Sequence, residues 1–269
     1  MTLMNRIYSG FSYIWHQLSA WNTGGEGIHS PYLFYIVRML LYDSHSYYCF
    51  AEIESRRQAM LNRKDTIWVE DYGTGVSGEK RISDIAKSSL KPAKEAQQIF
   101  KIVNYLSSET KGGLDIIELG TSLGITTAYL ANASANNRII TFEGSPELVN
   151  VAKDNWAKLG LHNIKYVEGN IDSTLYNNAR AKKLKQVDLA FIDANHTGSA
   201  TMNYFNIIKP LIREKSIVII DDIHYSRDMY KAWLQIQNDQ AVTSTMDLFH
   251  CGIVFFDKHY IKRHYKLRV

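Results

Sequence analysis

The chain has 269 residues, of which 45% are hydrophobic and 22% charged, with a formal net charge of +4. That content supports a full core and excludes a chain dominated by disorder, while the mild charge makes nucleic acid an unlikely partner. The excess charge gathers in Lys258, Lys262, Arg263, Lys266 and Arg268, and reads as a solvated terminal element. Cys49 and Cys251 form no CxxC pair and no disulfide framework, which suits a reduced, cytoplasmic setting. No basic-then-apolar leader starts the chain, and no apolar run nears the ~18 residues that a membrane span needs.

In chain order, residues 1–111 come first as aromatic-rich helical stretches, with Tyr8, Phe11, Tyr13 and Trp15, then Tyr32, Phe34, Tyr35, Val37 and Leu40. One strand-like piece, Thr66–Val69, leads to a glycine-rich loop from Asp71 to Gly78, and an amphipathic helix is predicted near Ala93–Leu106. These residues read as a helical cap on a core that follows. A sharper alternative is that the cap and its glycine loop cover the site and choose the substrate. Exposed aromatics in the cap could also serve a homodimer.

Residues 112–128, GGLDIIELGTSLGITTA, are the most informative stretch. An apolar run carrying Glu118 breaks at Gly120, Gly124 follows, and a helix is predicted over Thr126 to Ala133. A strand that ends in a glycine turn and feeds a helix exposes backbone N–H groups to a ligand. Ser122 stands where the dinucleotide fingerprint GxGxxG has its second glycine, so the turn points away from NAD and toward another adenosine-containing ligand.

From residue 112 strands and helices alternate. Strands are predicted at Asp115–Leu119, Arg138–Phe142, Ile164–Glu168, Val187–Ile192 and Ser216–Ile220. The clearest helix is Ser145–Leu159, with Ser145 able to cap, Pro146 at the first position and Gly160 beyond the end. This rhythm predicts an α/β fold whose parallel strands bind ligand at their carboxyl ends. Thr243–Phe249 and Ile253–Phe256 lie too close together to enclose a helix, so the chain should close on a β-hairpin with one antiparallel strand.

Acids end several of these strands: Glu118, Glu143, Asp193 and the pair Asp221–Asp222. Glu143 could accept hydrogen bonds from both hydroxyls of a ribose. Asn170, after the third strand, could pair with an adenine edge or merely serve a turn.

The succession ELGTSLG, TFEG, VEGN, FIDANH and IIDDIH, closed by a hairpin, resembles class I S-adenosylmethionine-dependent methyltransferases. Within them it is most similar to small-molecule O-methyltransferases of the catechol and caffeoyl-CoA type, over roughly Gly112–Asp257. His29-Ser30-Pro31-Tyr32 also resembles the HSPY/HSPF motif of a group of bacterial methyltransferases. The resemblance implies a Rossmann-like, mainly parallel seven-stranded sheet with a terminal hairpin, S-adenosylmethionine as cofactor and a small-molecule methyl acceptor. It implies a helical cap over 1–111 and a cofactor-binding domain over 112–269.

By position, Glu118, Gly120, Thr121, Ser122 and Gly124 would cradle the methionine side, with Thr126 near its carboxylate. Glu143 would bind the ribose and Asn170 would lie beside the adenine. Asp193, counted with the cofactor site, would also join Asp221 and Asp222 in holding a divalent cation, usually magnesium. Three carboxylates suit such a hard cation. The family has an Asp-Asn pair where this chain has Asp221-Asp222, and a catalytic lysine where it has His196. Histidine can serve as a general base near neutral pH, and His224 is the rival for that role. Other readings are a nicotinamide-dependent oxidoreductase, a non-catalytic cofactor-binding protein and an RNA methyltransferase, the last without the base-methylating motif NPPY.

Overall fold

A computed structural model of the chain describes residues 3–72 and 75–269, so Gly73 and Thr74 of the predicted glycine loop lie outside the described residues. The first part is helical: α1 (Leu3–Ser19), a 3-10 turn at Thr23–Gly25, α2 (Pro31–Tyr35) continuing into a π-helical turn at Ile36–Leu41, and α3 (Phe50–Asn62). A small hairpin follows, β1 (Thr66–Val69) and β2 (Gly78–Arg81), then α4 (Ile82–Ser89) and α5 (Ala93–Glu109). The alternating part runs β3 (Asp115–Leu119), α6 (Ile125–Asn132), β4 (Arg138–Glu143), α7 (Pro146–Lys158), β5 (Ile164–Glu168) and α8 (Ile171–Arg180). It continues with β6 (Val187–Ile192), α9 (Gly198–Ile208), β7 (Ile212–Asp221), α10 (Arg227–Asn238), β8 (Ser244–Asp247), β9 (Cys251–Phe255) and β10 (Arg263–Lys266).

The chain forms two compact units, one of residues 44–183 and one made of residues 1–43 with 184–269. The change of pattern near residue 111 therefore falls inside the first unit. There α3, α4 and α5 share a unit with the glycine turn, and Met60, Val69, Ile82, Ile85 and Ala86 pack in one apolar cluster with Leu123, Leu148 and Val151. Burial of that cluster ties α3, β1 and α4 to the glycine turn and α7.

In the 44–183 unit the strands run in the order β3-β4-β5, all parallel, and in the split unit they run in the order β10-β8-β9-β7-β6. Strand β9 runs antiparallel to both β7 and β8, as a closing hairpin requires, while β10 runs parallel to β8. Together these are eight strands among the described residues, one more than expected. Arg263–Lys266 is not merely a solvated element: after exposed Arg263 and His264, Tyr265 is buried, and so is Leu267 beyond the strand. Strand β7 also begins earlier than its apolar run, because Arg213, Glu214 and Lys215 are exposed there.

Local chemistry explains the helix ends. Ser30 caps α2 by accepting the Leu33 N–H at 3.4 Å, with Pro31 at the first helical position, so the HSPY motif acts in this fold as a helix start. Thr197 and Ser226 cap α9 and α10 in the same way. Ser145 makes no side-chain cap for α7, contrary to expectation; its own N–H is taken by the Glu143 carboxylate at 3.0 Å. No helix among the described residues is long and apolar enough to cross a membrane.

Candidate functional site

The glycine turn lies wholly within the 44–183 unit. Gly120 and Gly124 have φ of 96° and 74°, the left-handed region, and Ser122 joins them at 49°. Gly124 has no room for a side chain, since a Cβ there would stand 2.6 Å from Trp156 Nε1 and 2.8 Å from the Ala152 Cβ. Helix α7 fixes the turn from below. Trp156 Nε1–H donates to the Gly124 carbonyl and Asn155 Nδ2 to the Leu123 carbonyl, each at 2.9 Å. Neither residue stands out in the sequence as a support of the site.

Glu143 sits at the end of β4 and is 9% exposed. Its carboxylate accepts the Ser122 N–H at 2.8 Å and the Ser145 N–H at 3.0 Å. Burial raises its pKa, and these backbone N–H groups, with that of Gly144, work against the rise. Thus Glu143 joins the glycine turn to the start of α7, and a carboxylate at a strand end beside such a turn can accept ribose hydroxyls.

Glu118 is placed differently from expectation. It is fully buried beneath the turn, where Thr127 and Thr141 donate to its Oε2 at 2.5 and 2.6 Å. Thr121 continues this chain of hydroxyls, 2.6 Å from Thr141 Oγ1. Burial pushes Glu118 up to about 7, with the threonine hydroxyls opposing and Glu143 adding to the rise. Glu118 Oε1 is buried without a hydrogen-bond partner. Thr126 lies in the first turn of α6 and is half-buried. Asn170 caps α8, its amide oxygen accepting the Asp172 N–H at 2.9 Å.

The later acids and both histidines lie in the split unit. The His196 ring stands between two carboxylates, with Nε2 3.8 Å from Asp193 Oδ1 and Nδ1 3.7 Å from Asp222 Oδ2. It remains about one-third exposed, and Tyr225 lies alongside at 5.5 Å between ring centroids. Asp221 is buried in β7. Among the described residues, Asp193, Asp221 and Asp222 do not gather with ligand atoms inside 4.8 Å of one another; Glu214, Asp257 and His259 do, on the surface.

His224 is buried and engaged at both ring nitrogens. Nδ1 is 2.8 Å from Ser12 Oγ, and Nε2 is 2.9 Å from Asp247 Oδ2. His16 Nε2 also reaches Asp247, at 3.1 Å, and Phe249 stacks on the His224 ring. Despite its burial, Asp247 is held well below the usual carboxylate range by hydrogen bonds from His16 and His224 and by their charge.

The alternation of strands and helices and the glycine turn define an α/β fold of the Rossmann-like type. Residues 117–223 match the family described as a methyltransferase domain. No curated protein matches the chain by sequence. Among solved structures, the chain is similar to an O-methyltransferase from Bacillus cereus in complex with S-adenosylhomocysteine. The two are 17% identical over 80% of this chain and 93% of that one, with a TM-score of 0.53. It is also similar to TomG from Streptomyces achromogenes, an O-methyltransferase of tomaymycin synthesis in complex with S-adenosylmethionine (17% identity, 63% and 82% of the chains, TM-score 0.52). A third is the S-adenosylhomocysteine-bound methyltransferase PaMTH1 from Podospora anserina (14% identity, 80% and 99%, TM-score 0.50).

Proposed function

We propose that this chain is an S-adenosylmethionine-dependent methyltransferase that methylates an oxygen of a small-molecule acceptor. The observation that carries the reading is the Glu143 carboxylate, oriented by backbone N–H groups beside the left-handed turn at Gly120 and Gly124. It is supported by the methyltransferase-domain match over residues 117–223, which disfavours the nicotinamide alternative.

The turn suits the donor chemically. Gly120 to Gly124 leave backbone open to the methionine part, and Glu143 offers two acceptor oxygens for ribose hydroxyls. When bound, S-adenosylmethionine supplies an electrophilic methyl group. The chain's own residues then hold the reactants in line and take a proton from the accepting hydroxyl. We assign that proton to His196, which is partly exposed and faces carboxylates on both sides that offset the charge it gains. His224 is not used, because Ser12 and Asp247 occupy its two nitrogens. Nor does the scheme use a divalent cation: Asp193, Asp221 and Asp222 are not gathered at ligand spacing.

Calorimetry with S-adenosylhomocysteine tests the donor assignment. The wild type should bind, and Glu143→Ala should bind about a hundredfold more weakly, the loss of two hydrogen bonds to a charged acceptor. Equal binding by the two would remove the donor from this site. Methyl transfer to a panel of small hydroxylated acceptors tests the base. His196→Ala should lower kcat by about a hundredfold with donor affinity kept, and EDTA should leave turnover unchanged. An unaltered kcat would take the proton away from His196, and donor binding without turnover on any acceptor would favour a non-catalytic protein.

A further inference from the structure

The β1–β2 hairpin strands and α4 precede the glycine turn in sequence, yet they frame it from two directions within the 44–183 unit. From one, Ser89 at the end of α4 shares a hydroxyl hydrogen bond with Ser122 at 2.8 Å, while Ile82, Ile85 and Ala86 pack in the same cluster as Leu123. From the other, the β1–β2 hairpin is tied to the start of α7. The Trp68 N–H donates to Glu147 Oε2 at 2.9 Å, and the Glu70 N–H donates to Ser145 Oγ at 3.4 Å.

Tyr72 follows that anchor, and its ring lies on Gly144. A Cβ built on Gly144 would come 2.7 Å from Tyr72 Cδ2 and 3.2 Å from Cε2. The ring therefore fills the space a side chain at 144 would occupy, one residue beyond Glu143. The Tyr72 hydroxyl donates to Glu70 Oε2 at 2.8 Å, which fixes the ring, and the side chain is still 52% exposed. Asp71 is close enough for its charge to add to the rise in the Glu143 pKa. An anchored, half-open aromatic ring thus stands beside the carboxylate assigned to the ribose, at a position whose own residue offers no side chain.

Resting on that assignment of Glu143, we infer that Tyr72 is the stacking platform for the donor's base, and that β1, Tyr72 and α4 form a wall of the donor site. The base hangs from the ribose by one bond, so a ribose held at Glu143 keeps it within reach of the neighbouring residues. Every base has a π-face, and stacking on an aromatic ring is worth roughly ten- to a hundredfold in affinity.

Calorimetry on the full chain with S-adenosylhomocysteine tests this, beside thermal melts that report folding. Tyr72→Ala should weaken binding by about tenfold or more, and Tyr72→Phe should stay within about twofold of wild type. Gly144→Ala, whose new methyl displaces the ring, should weaken binding as Tyr72→Ala does. Tyr72→Trp should show ligand-dependent quenching of its fluorescence beyond that of the wild type, a signal that a purely structural tyrosine would not produce. If Tyr72→Ala binds like the wild type while Glu143→Ala does not, the donor site stands and the platform falls. If Tyr72→Ala loses folding, absence of extra quenching in Tyr72→Trp overturns the inference. If the wild type itself fails to bind, the donor reading fails first.

Discussion

Two buried carboxylates, one in each unit, have been driven in opposite directions by their neighbours. Glu118 in the 44–183 unit is fully buried among threonine hydroxyls and is pushed up to about 7. Asp247 in the split unit is 2% exposed and is pushed down, because His16 and His224 donate to it. Burial alone always favours the neutral acid; only a partner that gains from the charge reverses it. The glycine-turn side thus relies on hydroxyls and backbone dipoles. The histidine cluster uses ionic pairing as internal structure, joining α1 to β8 across 231 residues of sequence.

The largest effect should come from breaking that pairing. Asp247→Ala takes the carboxylate away from buried His16 and His224, and should cost about 3–5 kcal/mol in urea unfolding at neutral pH. The folded pKa of Asp247 lies below the ordinary 3.8, so the stability it contributes is present above that pH. It is lost as the pH falls through the folded value. The gap between variant and wild type should therefore be widest near neutrality and shrink below about pH 4; a gap that widens in acid would break the comparison.

Glu118→Gln should act with the other sign. The folded pKa of about 7 stands above the ordinary 4.5, so the fold favours the protonated acid and wild-type stability should fall as pH rises from 4.5 to 7. Glutamine mimics the neutral form and escapes that loss. The variant should match the wild type near pH 4.5 and exceed it by roughly 2–3 kcal/mol at pH 8. Urea unfolding across this range checks it, and a variant weaker than wild type at pH 8 would show that Glu118 is held by its charge.

The same contrast explains what was legible before the structure. The glycine turn, Glu143 and the strand rhythm are set by spacing within some thirty residues, where period and turn chemistry leave clear marks. Glu118 was legible as a strand-end acid, but its depth depends on Thr127 and Thr141 facing it, which no local pattern shows. His224 read as a candidate base because Ser12 lies 212 residues away in sequence. Tyr72 belonged to a loop whose glycines drew attention, whereas its ring matters through the bare backbone of Gly144. Strand β10 hid because three of its four residues are basic or histidine and only Tyr265 turns inward.

Asn170 offers the smallest and sharpest test of the donor half. Its amide oxygen already accepts the Asp172 N–H, so the turn reading and the adenine reading predict different losses. A cap alone is worth about 1 kcal/mol, and Asn170→Ala should remove it while leaving S-adenosylhomocysteine affinity within about twofold. Asn170→Asp keeps the cap oxygen and replaces the amide nitrogen with a second acceptor. It should restore stability if capping is the role, and should weaken the ligand by about tenfold if that nitrogen faces an adenine acceptor. Unfolding and calorimetry on the two variants separate the outcomes. An affinity unchanged in both Asn170 variants but lost in Tyr72→Ala leaves the aromatic ring as the base's support.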